Sequence, residues 1–240
     1  MKVFSLCMII GAVLCAEVNE KNILTLMSEK IFSKPTVGIA ELSDFVDGKS
    51  TKTITMQIKS QNENTLISLL DPARDKGKYI LKNGRQLWIY FAELKRAMRI
   101  ALRDSFQGSE ASHYDLMVVD LTADYTVEAM SNQQINGIDY YELFLAAKPN
   151  VEGYSKITAL AAKDTLFIYK NFYYSASGKC LKSVRYDKYE KIDNQYRPLY
   201  IEIQNEIDKS AKTIITFRSL KYDPGIKPNI FSLGYLKGIE

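Results

Sequence analysis

Side chains suited to acid–base or metal chemistry are scarce in this chain. It has one histidine, His113, and three cysteines, of which only Cys180 lies clear of an apolar N-terminal run. Tetrahedral zinc sites draw on Cys and His ligands. A metal site here would need mostly carboxylates, and none is spaced for it, so no metal and no cofactor is expected. Ser109, His113 and Asp115 have the chemistry of a nucleophile, a base and an orienting acid. At such short separations these residues more often cap or decorate a helix, and Ser109 lacks the strand-to-helix elbow that exposes a nucleophilic serine. No catalytic residue is assigned, and the chain is not expected to be an enzyme. Gly108-Ser109 likewise lacks the glycine spacing of a phosphate loop.

Two other groups point to binding. Lys95, Arg96, Arg99 and Arg103 form a basic cluster. It suits lipid phosphates or an anionic protein surface; equally, it suits a solvated edge with an arginine paired to Asp115 or Asp120. Nucleic acid is not an expected partner. The net charge is +4, about +3 once Lys2 and its neighbours up to Cys15 are removed, and the basic residues are interleaved with acids. Trp88, Tyr90 and Phe91 lie in the run "GKYILKNGRQLWIYF". They are either packed sheet core or the wall of a cavity for acyl chains, where each methylene taken from water contributes about 0.8 kcal/mol.

The elements that must position these residues are mostly strands. "TITMQIKS" alternates, with Ile54, Met56 and Ile58 on one face. Asn83-Gly84 and Asn136-Gly137 are hairpin signals, and Gly178 marks a further turn. Sixteen tyrosines and ten phenylalanines suit strands. Several strands are apolar on both faces, as in Leu87 to Phe91, so the second face needs a cover: helices, closure of the sheet, or a ligand. Asn19 to Phe32 has the three-and-four spacing of a helix ended by Pro35, and Ser109 to Met117 suits a second helix or helical loop. The tail from Asn229 is expected to pack Phe231, Leu233 and Leu236.

The N-terminus, "MKVFSLCMIIGAVLCAEVNEKN", has one lysine, a twelve-residue apolar run and charge from Glu17. This is the layout of a secretory signal peptide over residues 1–16, too short to span a bilayer. Residues 17–240 then form one domain. Leu14 fits poorly before a lipid-anchored Cys15. Only Cys180 is left in the mature chain, so no internal disulfide is expected.

From Leu69 to Leu116 the chain resembles the LolA-like family of outer-membrane lipoprotein-sorting proteins. The residues that carry the likeness are Pro72, Lys76, Gly77, Leu81, Leu87, Trp88, Tyr90, Arg99, Ile100, Arg103, Ser105, Phe106, Gly108, Ser109, Asp115 and Leu116. It continues through "YELFLAAKP", "GKCLKSVRY", "NQYRPLYIEI", "KTIITF" and "FSLGYL". Ala92 and Glu93 depart from the proline that follows the Trp-x-Tyr strand in the family. Glu110 and Ala111 replace its aspartate and aromatic.

The resemblance implies a mainly β fold: a strongly curved, incomplete antiparallel β-barrel covered by α-helices. It implies a monomeric periplasmic carrier that shuttles acyl chains of lipoproteins or membrane lipid toward the outer membrane, between an inner-membrane transporter and an outer-membrane acceptor. Leu81, Trp88, Tyr90, Phe91, Phe106 and Met117 become the expected ligand-binding set. Lys95, Arg96, Arg99 and Arg103 become the expected contacts to a partner or headgroup. A periplasmic sensor or adaptor, or a phospholipid carrier working with a membrane transporter, would use the same scaffold.

Overall fold

A computed structural model describes residues 17–31, 34–117, 119–193 and 195–239. The expected signal peptide, including Cys15, lies outside the described residues.

Among the described residues, thirteen antiparallel strands form one sheet. Helix α1 (Ile23–Ile31) comes first. Then follow β1 (Thr36–Val46), β2 (Lys49–Gln61), β3 (Asn64–Asp71), β4 (Lys78–Asn83), β5 (Gln86–Phe91) and β6 (Arg96–Arg99). Short helices α2 (His113–Leu116) and α3 (Leu121–Asp124) lead into β7 (Tyr125–Ile135). The chain continues through β8 (Ile138–Ala147), β9 (Lys156–Ala162), β10 (Ile168–Tyr174), β11 (Cys180–Ile192), β12 (Gln195–Asn205) and β13 (Ala211–Tyr222), and ends in α4 (Leu233–Lys237). The strand order is β6-β5-β4-β3-β2-β1-β13-β12-β11-β10-β9-β8-β7. Two meanders therefore meet where β1 pairs with β13. The long connection from β6 to β7 has to pass from one edge of the sheet to the other. It becomes the cover over one face.

The structure corrects the expected strongly curved, incomplete barrel: the sheet is neither strongly curved nor wrapped toward closure. The sheet is open: β6 and β7 are its two edges and do not pair with each other. Nor do long helices cover it. Among the described residues, the nine-residue α1 is the longest helix, and α2 to α4 span four or five residues each. Where a helix or helical loop was expected over Ser109 to Met117, one helical turn forms at His113–Leu116. Its Ser112–Asp115 capping box satisfies the first backbone donors, with the Ser112 N–H donating to Asp115 Oδ2 at 2.7 Å.

Two separate cores, not closure, account for the double-sided strands. On one face Ile67, Ile80 and Leu87 join Leu42, Ile54, Met56 and the α1 residues Ile23, Leu24 and Met27. On the other, Leu66, Leu81 and Tyr90 pack against Ile226, Phe231 and Leu236 of the C-terminal segment, with Trp88 and Leu233 alongside. Successive residues of β4 and β5 point to opposite faces, so both strands carry apolar residues on each face.

Turn chemistry fixes the register. Asn136 and Gly137 both have positive φ, 50° and 80°, between the paired Ile135 and Ile138. Two left-handed residues match the twist of a two-residue hairpin. At Asn83-Gly84 the turn sits one residue later than the dipeptide suggests. Asn83 pairs with Gln86, leaving Gly84 and Arg85 at the centre, and Asn83 Nδ2 donates instead to the Phe231 carbonyl at 2.7 Å. Gly137→Ala is expected to lower stability by about 1–2 kcal/mol, the cost of a Cβ in the left-handed region, as read by chemical denaturation.

Candidate functional site

A cavity of about 210 Å³ lies between the β6–β7 cover and the inner face of the sheet. Its wall is largely apolar. Leu116, Met117, Val119 and Leu121 come from the cover, and Ile58, Ile201, Phe217 and Leu220 come from β2, β12 and β13. A β-bulge puts the last two on the same side. Ile39 pairs with Ser219 and Ala40 with Phe217, so Arg218 is an extra residue that resets the alternation. Gly38 lies beneath them. A Cβ there would stand 2.9 Å from Leu220 and 3.2 Å from Phe217, so the missing side chain makes room for both.

The cover is held to the sheet by a buried polar cluster. Asp115, in α2, forms an ion pair with Lys182 of β11, and both side chains are buried. Lys182 Nζ also donates to Ser112 Oγ at 2.9 Å and sits 5.0 and 5.3 Å from the ring centroids of Tyr154 and Tyr173. Burial alone would lower the Lys182 pKa. The Asp115 carboxylate and the Tyr154 hydroxyl outweigh it and hold the ammonium above its ordinary value. Tyr114 donates to the Tyr125 hydroxyl at 3.4 Å, and Tyr125 donates to the Tyr154 carbonyl at 3.0 Å. Burial pushes the Tyr114, Tyr173 and Tyr186 hydroxyls up, so they remain neutral hydrogen-bonding groups.

Polar atoms also reach the cavity. Asn171 Oδ1 and Asp115 Oδ1 are buried and have no hydrogen-bond partner. Arg197 lines the wall half-buried. Burial pushes its pKa down, and among the described residues it has no ion-pair or hydrogen-bond partner.

The residues expected to bind ligand divide between two places. Met117 lines the cavity. Phe106 is fully buried in the same core, edge-on to His113 at 5.3 Å between centroids. Leu81, Trp88 and Tyr90 lie on the opposite face of the sheet, in the core capped by the C-terminal segment. Phe91 is half-buried at the end of β5. Of the basic set, Lys95, Arg96, Arg99 and Arg103 are all exposed at or beyond the β6 edge. Arg99 approaches Glu152 at 4.0 Å rather than Asp115 or Asp120. His113 is 4% exposed, with its pKa lowered to about 4 by burial. Among the described residues, no group of three or more His, Cys, Asp or Glu side chains is placed to hold a metal ion. No described helix is long and apolar enough to cross a membrane.

Sequence reasoning did not single out Tyr173, Tyr186, Arg197, Ile201 or Phe217. One signal was available. Arg197, Leu199, Ile201 and Ile203 alternate along β12, so the arginine shares a stripe with half-buried Leu199 and buried Ile201 and Ile203.

A family model described as "Uncharacterized protein" matches residues 61–238. The chain belongs to that family. No curated protein matches it. Among solved structures it is similar to a LolA superfamily protein from Nitrosomonas europaea. The TM-score is 0.80 and the identity 24%, over 91% of this chain and 100% of the other. A putative outer membrane lipoprotein-sorting protein domain from Vibrio parahaemolyticus has a TM-score of 0.81 and 20% identity, over 91% and 100%. A DUF1329 family protein from Desulfovibrio piger has a TM-score of 0.78 and 24% identity, over 90% and 96%. The chain therefore shares its fold with these three structures, among them the LolA superfamily protein.

Proposed function

We propose that the protein is a non-enzymatic periplasmic carrier. It would hold acyl chains of lipoproteins or lipids beneath the β6–β7 cover and release them when the cover lifts. The observation that carries this reading is the apolar cavity between cover and sheet. The fold it shares with lipoprotein-sorting relatives supports the same role. At about 210 Å³ the cavity is smaller than the roughly 300–1,000 Å³ of drug-sized sites. As it stands it suits one chain, and two would require the cover to move outward. Directional transfer between an inner-membrane donor and an outer-membrane acceptor needs only partners that bind the loaded and empty states differently. Lys95, Arg96, Arg99 and Arg103, exposed at the sheet edge, would serve docking, with the protein acting as a monomer.

Two substitutions separate the cavity from the second core. Leu220→Trp fills the cavity and is expected to reduce uptake of a fluorescent long-chain lipid at least tenfold, with the far-UV spectrum unchanged. Trp88→Ala is expected to leave uptake intact while lowering stability by about half of the 3–5 kcal/mol that a fully buried ring costs. Unchanged uptake in Leu220→Trp, or loss of uptake in Trp88→Ala, would move the ligand to a different surface and end this reading of the cavity.

A further inference from the structure

We infer that the cavity takes a single-chain amphiphile with an anionic carboxylate or phosphate head, which pairs with Arg197 while the tail lies against the aliphatic and aromatic wall. The inference rests on the carrier reading and adds the polarity and orientation of the ligand.

Arg197 is the starting point. A cation kept partly out of water without a counter-charge is costly and is normally paired. Glu190 lies directly across the hairpin from it, yet that carboxylate is exposed and makes no ion pair with it. The guanidinium fork thus keeps donors free for a bidentate acceptor, the geometry that carboxylate and phosphate offer.

The other charges on the wall set the direction. Asp115 is already committed to Lys182, and its free oxygen, like that of Asn171, is an acceptor that repels an anion. Lys182 pairs with Asn205 across β11 and β12, and Glu190 pairs with Arg197. The Asp115–Lys182 anchor and Arg197 therefore lie eight residues apart along β11, on the order of 26 Å at 3.2–3.4 Å per residue. Between them, Ile201 and Phe217 present apolar surface. One end of the wall thus favours an anion, the middle favours hydrocarbon, and the far end accepts only a hydrogen-bond donor.

The test is binding of dodecanoate, dodecyl phosphate and dodecanol to the full mature chain, measured by displacement of a fluorescent lipid or by calorimetry. Arg197→Gln is expected to weaken both anionic ligands roughly ten- to hundredfold, the worth of a charge-assisted pair, and to leave dodecanol unchanged. Arg197→Lys is expected to restore part of the loss. Because the native cation has no partner among the described residues, Arg197→Gln is also expected not to lower the melting temperature of the empty protein. Equal losses for dodecanol would overturn the inference, as would no loss for the anions. Competition by inorganic phosphate as strong as that of dodecyl phosphate would mean a free-anion site and would overturn it too. If none of the three amphiphiles bound the wild type, the carrier reading itself would fall; in the other outcomes only the head assignment would.

Discussion

Replacing Lys182 by methionine is expected to destabilise the protein by about 3–5 kcal/mol, the cost of removing one partner from a buried ion pair. The side chain of Asp115 is wholly buried and that of Lys182 nearly so, and Ser112 completes the cluster. Without the ammonium, the carboxylate stays in the interior with only the Ser112 donors. For a chain of this size, each kcal/mol moves the midpoint by about 2–4 °C, so a fall on the order of 10 °C should be seen in thermal unfolding. Removing both charges, in Lys182→Met with Asp115→Leu, should recover most of the loss. The pair also joins segments 67 residues apart, the cover and β11. The single mutant should therefore show faster hydrogen exchange in residues 100–124 than in the β1–β2 hairpin. The pH dependence has a defined sign. Lys182 titrates above its ordinary 10.5 in the folded state. Its contribution is thus fully present below that value and is lost as pH rises through the folded pKa.

The second large effect lies on the acid side. His113 is buried against Phe106, its Nδ1 has no partner, and its pKa is lowered from 6.5 to about 4, with burial as the main cause. The unfolded chain therefore takes up a proton from about pH 6.5 downward, while the folded chain resists until about pH 4. Stability is fully present above pH 6.5 and declines as pH falls through this window. The total loss is about 3 kcal/mol, at 1.36 kcal/mol per pKa unit. Denaturation midpoints at pH 7.5 and pH 4.5 measure it. His113→Phe, which cannot titrate, should flatten this part of the profile. An unchanged slope would place the acid lability in the carboxylates instead.

Short-range order was the part of this fold most readable from sequence. Ile54, Met56 and Ile58 alternate in "TITMQIKS" and are buried as that pattern requires. Asn136-Gly137 forms the turn its residue types favour. The need for a second cover over Leu87 to Phe91 was also visible, but its source was not. Phe231 and Leu236 reach Leu81 and Tyr90 from about 150 positions along the chain, a distance no local period encodes. Closure into a barrel was one reasonable answer to two-sided strands, and a second core was the one this chain uses. That choice also decides where Trp88 lies. Its position within the strand was clear, whereas its face depends on a register that shifts by one residue at each bulge.

The candidate site was less legible for a related reason. Asp115 belongs to the motif that carried the family resemblance and Lys182 to the strand "GKCLKSVRY", but nothing in either segment announces the other. The cluster of Tyr114, Tyr125, Tyr154 and Tyr173 is assembled from the cover, two strands and a loop. The high tyrosine content suited strands in general and did not say which rings would share one polar cluster. Phe217 and Leu220 meet only because of the bulge at Arg218 and the absence of a side chain at Gly38.

The most direct test of the carrier account is native mass spectrometry of the protein, purified in mild buffer, with lipid extraction alongside. The account predicts a discrete mass increment that extraction identifies as an acyl-bearing molecule and that Leu220→Trp lacks. Protein that is reproducibly empty, and that also takes up no labelled lipid or lipopeptide, would contradict it.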